Sequence, residues 1–145
     1  LKALLQRVRS AHVVVADETI GRIDHGLLVL LGVEKGDGEA NAARMRDKLL
    51  AYRIFPDDQQ RMNCNVVEAG GGILLISQFT LAADTSKGLR PSFSSAAPPA
   101  EAEQLYDWLR VELAQCHSPM AFGRFGADMQ VHLVNDGPVT FLLET

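Results

Sequence analysis

The chain has 145 residues, 47% of them hydrophobic and 22% charged, which is room for one domain with one main core and no need of a metal or disulfide staple. Fourteen basic residues against eighteen acidic give a formal net charge of −4, which argues against coating nucleic acid through a global basic field but leaves a local basic site open. Intrinsic disorder, collagen, coiled coil and disulfide scaffold are excluded by the same composition, and with six Phe, two Tyr and one Trp the core must be aliphatic.

In chain order, Lys2–Arg9 and the β-branched His12–Val15 read as two strand segments ahead of a polar turn at Asp17-Glu18-Thr19, with Ile20–Ile23 returning as a hairpin. Gly26–Val33 is a continuous apolar run bounded by glycines, the pattern of a strand buried on both faces. A helix is expected from about Glu39 to Tyr52, with Ala42, Met45 and Leu49 on one stripe, and Pro56 ends the short segment after it. Gly70-Gly71-Gly72 reads as a hairpin turn introducing a second buried strand, Ile73–Ile76, which runs into Ser77-Gln78-Phe79-Thr80-Leu81. Ala82–Pro99 has no apolar period and reads as a long loop, a length that in compact domains usually signals function. A second helix is expected from Pro98-Pro99, with Glu101 and Glu103 suiting its N-terminal end, a buried stripe of Leu105, Leu109, Leu113 and Cys116, and a stop at Ser118-Pro119. Met129, Val131 and Leu133 then alternate with polar residues, and the turn Asn135–Pro138 leads to a last strand, Val139–Leu143. The whole is one α+β domain, residues 1–145, with one or two mixed or antiparallel sheets in layers and both helices on one face.

Several chemistries find no support. His12, His25, His117 and His132 lack ligand spacing, so neither a metal nor another cofactor is expected. Cys64 and Cys116 stand without a CxxC pair or His-Cys cluster and read as ordinary thiols. The glycine triplet is not GxGxxG, and Ser77 lacks the GxSxG elbow of serine hydrolases. Leu1–Arg7 reaches a charge too soon for a signal-peptide apolar region, and Leu27–Leu31 is too short to span a membrane, so a reducing compartment such as the cytoplasm is expected.

Three features remain. Ser77-Gln78-Phe79-Thr80 places polar side chains directly after four aliphatic residues, either as a strand emerging into solvent or as a pocket wall. In a pocket wall, backbone N–H groups and the Thr80 hydroxyl would meet a substrate. Gly137-Pro138 is either a plain turn or a rigid corner presenting carbonyl oxygens to a ligand amine. Lys87-Gly88-Leu89-Arg90-Pro91-Ser92-Phe93 is either a solvated loop or a set of phosphate contacts at one end of an RNA.

Ser77-Gln78-Phe79-Thr80-Leu81 together with Gly137-Pro138-Val139-Thr140 resembles the two signature motifs of D-aminoacyl-tRNA deacylases. The likeness extends over Lys2–Val8, Lys87-Gly88, Arg90–Phe93 and Phe125–Met129, with Asp136 before Gly137 as a departure. The resemblance implies a homodimer of β-sandwich-like α+β subunits with active sites at the interface. There the Ser77–Thr80 segment of one subunit faces a Gly-cis-Pro corner of the other. Carried over residue by residue, Gly137 and Pro138 would capture the substrate α-amino group through backbone carbonyls and block the side-chain direction of an L-residue. Phe79 and Thr80 N–H groups would lie at the scissile ester carbonyl, Ser77 and Gln78 would shape the adenosine pocket, and Arg7 would orient the Gly-Pro corner. The implied activity is ester hydrolysis of D-aminoacyl-tRNA and of mischarged glycyl-tRNA, a proofreading step in translation quality control. The nucleophile is left open between the Thr80 hydroxyl and water assisted by the RNA 2′-hydroxyl; the absence of an evident general base favours water. A non-catalytic RNA-end binding module and a small-molecule esterase or amidase are the competing readings.

Overall fold

A computed structural model describes residues 1–145. Strand β1 (Lys2–Val15) turns at Ala16-Asp17, with φ of 48° and 62°, into β2 (Glu18–Ile23), a two-residue hairpin whose positive φ values match strand twist. β3 (Gly26–Gly32) and helix α1 (Glu39–Ala51) follow, then the small antiparallel pair β4 (Phe55–Pro56) and β5 (Met62–Cys64). β6 (Gly72–Ser77) ends in a 3₁₀ turn, Phe79–Ala82, and the long loop expected after it leads to α2 (Pro99–Cys116), β7 (Met120–Phe122) and β8 (Gln130–Glu144). No helix is long and apolar enough to cross a membrane.

The main sheet is mixed, in the order β2-β1-β3-β6-β7, with β8 along the other side of β1. β1 is antiparallel to β2, β3 and β8, whereas β3/β6 and β6/β7 are parallel. Both glycine-bounded apolar runs form strands buried on two faces. On one face Leu27, Val29, Leu31, Ile73 and Leu75 meet Ala42, Met45 and Leu49 of α1 and Leu105, Leu109 and Leu113 of α2. On the other, Leu28, Leu74 and Ile76 meet Val8, Ala11, Val13 and Ile23, because the far half of β1 and β2 curl over them. The curl nearly closes the sheet: a Cβ on Gly21 of β2 would stand 2.8 Å from the Phe122 carbonyl oxygen of β7. Thirteen-residue helices such as α1 are marginal alone, so the buried stripes hold them in place.

Four local readings change. The two expected segments of β1 are one strand whose inward phase slips from Leu1, Ala3 and Leu5 to Val8 and then to Ala11 and Val13. Its register with β8 breaks on both sides of Val8, and such bulges move a strand's apolar set between faces. Gly70–Gly72 makes no hairpin, since β5 pairs with β4 and β6 runs parallel to β3. Instead Asn65 and Glu68 exchange side-chain-to-backbone hydrogen bonds of 2.8 and 2.9 Å, winding a helical turn that Gly71 N–H closes onto Val66 O. Gly26 of β3, opposite Gly72, is obligatory where it sits, because β6 passes so close that a Cβ on it would lie 1.9 Å from the Gly72 carbonyl oxygen. Cys116 is exposed and not part of the α2 stripe, whose last buried member is Leu113. Leu133 is also exposed, while Met129 and Val131 pack on the second cluster.

Candidate active site

The buried run Ile73–Ile76 delivers Ser77 to the sheet margin, where Gln78 N–H donates to Leu31 O at 2.7 Å and the chain leaves the ladder. The following 3₁₀ turn carries Phe79 and Thr80 at its first two positions, where amide N–H groups have no partner inside the turn. Ser77 and Gln78 are half-buried; Phe79 and Thr80 are exposed, Phe79 by 61%. Gln78 Nε2 donates to Thr80 Oγ1, and no histidine or carboxylate hydrogen-bonds to that hydroxyl. Phe79 is propped by Phe93 of the long loop, ring centroids 5.2 Å apart.

Beside this strand end opens a cleft of about 420 Å³, walled by Ile76–Phe79, by Ala97, Pro99 and Ala102 at the start of α2, and by Phe125, Gly126, Ala127, Met129 and Val131. Its lining is mainly apolar with a few polar groups, the usual make-up of a small-ligand site. Tyr106 supports it from below, its hydroxyl donating to Leu75 O at 2.9 Å and its ring 6.0 Å from Phe125. Burial pushes the Tyr106 pKa up to about 12, so the phenol stays a neutral donor at physiological pH.

The second group of residues lies elsewhere. Two steps along β1, from Gln6 to Val8, face five along β8, from Thr140 back to Asn135, so Asp136–Val139 bulge out of the ladder opposite Arg7. The Gly137-Pro138 peptide is cis, Gly137 has φ of 149°, and both residues are exposed. Arg7 Nε donates to Asp136 O at 2.9 Å and its Nη1 to Ile54 O at 2.8 Å, tying the bulge to the segment before β4. From the other side Val139 N–H donates to Asn135 Oδ1 at 2.8 Å, and Asn135 Nδ2 donates to Thr140 Oγ1 at 3.2 Å. The carboxylate of Asp136, the residue that departs from the motif, lies 3.7 Å from Arg7 Nε and 3.6 Å from Arg9 Nε.

The structure thus joins Ser77, Gln78, Phe79 and Thr80 at one strand end and Arg7 with Gly137-Pro138 at one bulge, but it does not join the two groups within a chain. Arg7 is level with Leu27 and Ile73, four residues before Ser77, and three inter-strand steps separate β8 from β6. At ~3.3 Å per residue and ~4.8 Å per strand the two groups stand roughly 20 Å apart. Tyr106 and Asn135 were not legible as site residues. Tyr106 sits one place after Leu105 in an ordinary helical stripe, and Asn135 looks like any turn asparagine until its side chain is seen spanning the bulge.

Comparison with known proteins identifies the fold and the family. A solved structure described as c-Myc DNA Unwinding Element Binding Protein superposes with a TM-score of 0.95 at 39% identity, covering 100% of this chain and 99% of that one. A second, described as a probable eukaryotic D-amino acid tRNA deacylase, superposes with a TM-score of 0.82 over 99% of this chain and 98% of its own; at 17% identity it speaks for the fold alone. The D-aminoacyl-tRNA deacylase of Cellvibrio japonicus (strain Ueda107) is 62% identical over 97% of both chains, and that of Stutzerimonas stutzeri (strain A1501) is 62% identical over 100% of both. The α+β fold and these relatives define the class as the aminoacyl-tRNA deacylases. A family model described as D-Tyr-tRNA(Tyr) deacylase matches residues 4–144, and the chain belongs to that family.

Proposed function

We propose that this protein hydrolyses the ester between a D-amino acid and the 3′ end of tRNA, releasing free tRNA and the D-amino acid, and that it removes mischarged glycine in the same way. The observation that carries this reading is the exposed Gly137-Pro138 corner, whose main chain is fixed from one side by Arg7 and from the other by Asn135. Such a corner binds an α-amino group through carbonyl oxygens and presents a wall of backbone to anything larger than hydrogen on the L side. Because the corner stands roughly 20 Å from Ser77–Thr80 in one chain, the site is completed by a second copy, whose corner faces the strand end of the first.

The terminal adenosine occupies the cleft beside Ser77 and Gln78, which orients the ester carbonyl toward the Phe79 and Thr80 N–H groups. Water, assisted by the neighbouring RNA 2′-hydroxyl, adds to the carbonyl carbon. The oxyanion is held by the two N–H donors, each worth ~3–4 kcal/mol in a dry site. The carbon–oxygen bond to the ribose then breaks, the ribose oxygen takes a proton, and the amino acid leaves as its carboxylate. With no base beside it and its oxygen already accepting from Gln78, Thr80 Oγ1 is a poor nucleophile. Thr80→Ala is therefore expected to keep activity within about tenfold of wild type, the range of a lost neutral hydrogen bond. A loss of several orders of magnitude with the fold intact would assign attack to Thr80.

The test is deacylation of D-Tyr-tRNA, L-Tyr-tRNA and Gly-tRNA. The D-ester and the glycyl ester are expected to be cleaved and the L-ester at least about 100-fold more slowly, since backbone yields less than side chains. Binding without turnover would make the protein an RNA-end binding module, and equal cleavage of both enantiomers would make it a general esterase. Charged tRNA is met in the cytoplasm, where this reading places the enzyme.

A further inference from the structure

The loop between the 3₁₀ turn and α2 is built as an arm. Its base is pinned by paired backbone hydrogen bonds between Asp84 and Ser92, 2.8 and 3.0 Å, and by Ala97 N–H to Val33 O at 3.0 Å. Phe93 docks its ring on Phe79, so the arm leans on the same residue that walls the cleft. Beyond the base, Thr85–Pro91 are exposed throughout, Gly88 turns the tip with φ of 68°, and Leu89 is exposed at 106%.

The charge carried there is uncommitted. Lys87 and Arg90, three positions apart on the exposed arm, make neither an ion pair nor a side-chain hydrogen bond, a state they share with several other surface cations. Arg124, likewise unpaired and exposed, immediately precedes Phe125, which lines the cleft. The one acid within the arm, Asp84, is held below the usual carboxylate range by the Ser86 side chain and by the Ser86 N–H, which donates to it at 2.9 Å.

We propose that Lys87 and Arg90, with Arg124 beside the cleft-lining Phe125, contact the phosphates of the unpaired nucleotides leading to the aminoacylated 3′ end, so that the arm recognises RNA while the cleft recognises the ester. This rests on the deacylase reading above and adds a partner surface to it. It also reconciles a net charge of −4 with an RNA substrate, since local cations at one mouth suffice to guide a single strand.

The experiment compares D-Tyr-tRNA with the D-tyrosyl ester of adenosine, which has no phosphate, for wild type and for Lys87→Ala/Arg90→Ala. On tRNA the double variant is expected to raise KM about tenfold at unchanged kcat, and to flatten the slope of log(kcat/KM) against log salt by about 1.4, two single-strand phosphate contacts' worth. On the adenosine ester it should match wild type, and Arg44→Ala on α1 should change neither substrate. An unchanged KM and salt slope on tRNA would overturn the proposal, as would an equal loss on the adenosine ester, which would make the arm part of the cleft. Failure of wild type to cleave either D-ester would instead remove the deacylase reading.

Discussion

Gly137→Ala is expected to lower kcat/KM for D-Tyr-tRNA by about 100-fold or more while the chain still folds. At φ of 149° a side chain is strained, and the added Cβ would stand 2.5 Å from Val139 Cγ2 and 2.8 Å from Val139 N. Val139 cannot yield, because its side chain is buried in the helix-side cluster and its N–H is held by Asn135. The exposed corner yields instead, and a displacement of ~1 Å at a substrate-positioning element commonly costs ~10²-fold. Single-turnover deacylation alongside a thermal melt separates the two effects. Near-wild-type turnover would remove the corner from the active site.

Arg7→Met is the second large effect, on stability and activity together. Methionine fills much of the arginine stem's volume but leaves Asp136 O and Ile54 O without their donor in a pocket where the Arg7 side chain is only 12% exposed. Each of the two stranded acceptors costs ~1–3 kcal/mol, so a loss of roughly 2–6 kcal/mol is expected in denaturant unfolding, with kcat/KM down by about tenfold or more. Arg7→Lys should not restore the wild-type rate, because an ammonium does not reproduce the fork that reaches two carbonyls. If stability falls while kcat/KM holds, Arg7 serves the fold and not the corner.

Much of the scaffold was legible because it depends on short-range pattern. Gly26–Gly32 and Gly72–Ser77 are aliphatic without alternation, and they are strands covered on both faces. The α2 stripe was right through Leu113 and failed at Cys116, whose side chain is exposed in the last turn. The glycine triplet was misread because an Asn-x-x-Glu pair upstream, not the glycines, decides the turn. In β1 the reading as two segments registered a real discontinuity, the phase slip around Val8, without its cause, which is a bulged partner more than a hundred residues later. The motif residues were located by resemblance to a family. Their roughly 20 Å separation was beyond a linear reading, since it follows from a strand order in which β8 lies outside β1 and β6 lies beyond β3.

The Asp136–Val139 bulge has a bearing on how such a protein changes over generations. On the proposed chemistry, a wall made of carbonyl oxygens and α-carbons depends on few side chains, so substitutions at neighbouring positions would leave stereochemical choice intact as long as the braces hold. Asp136 separates the two roles, its carboxylate turned toward Arg7 and Arg9 while its carbonyl oxygen accepts from Arg7 Nε. Handedness, on that reading, would be set by the path of the chain, and altering it would require remaking the turn.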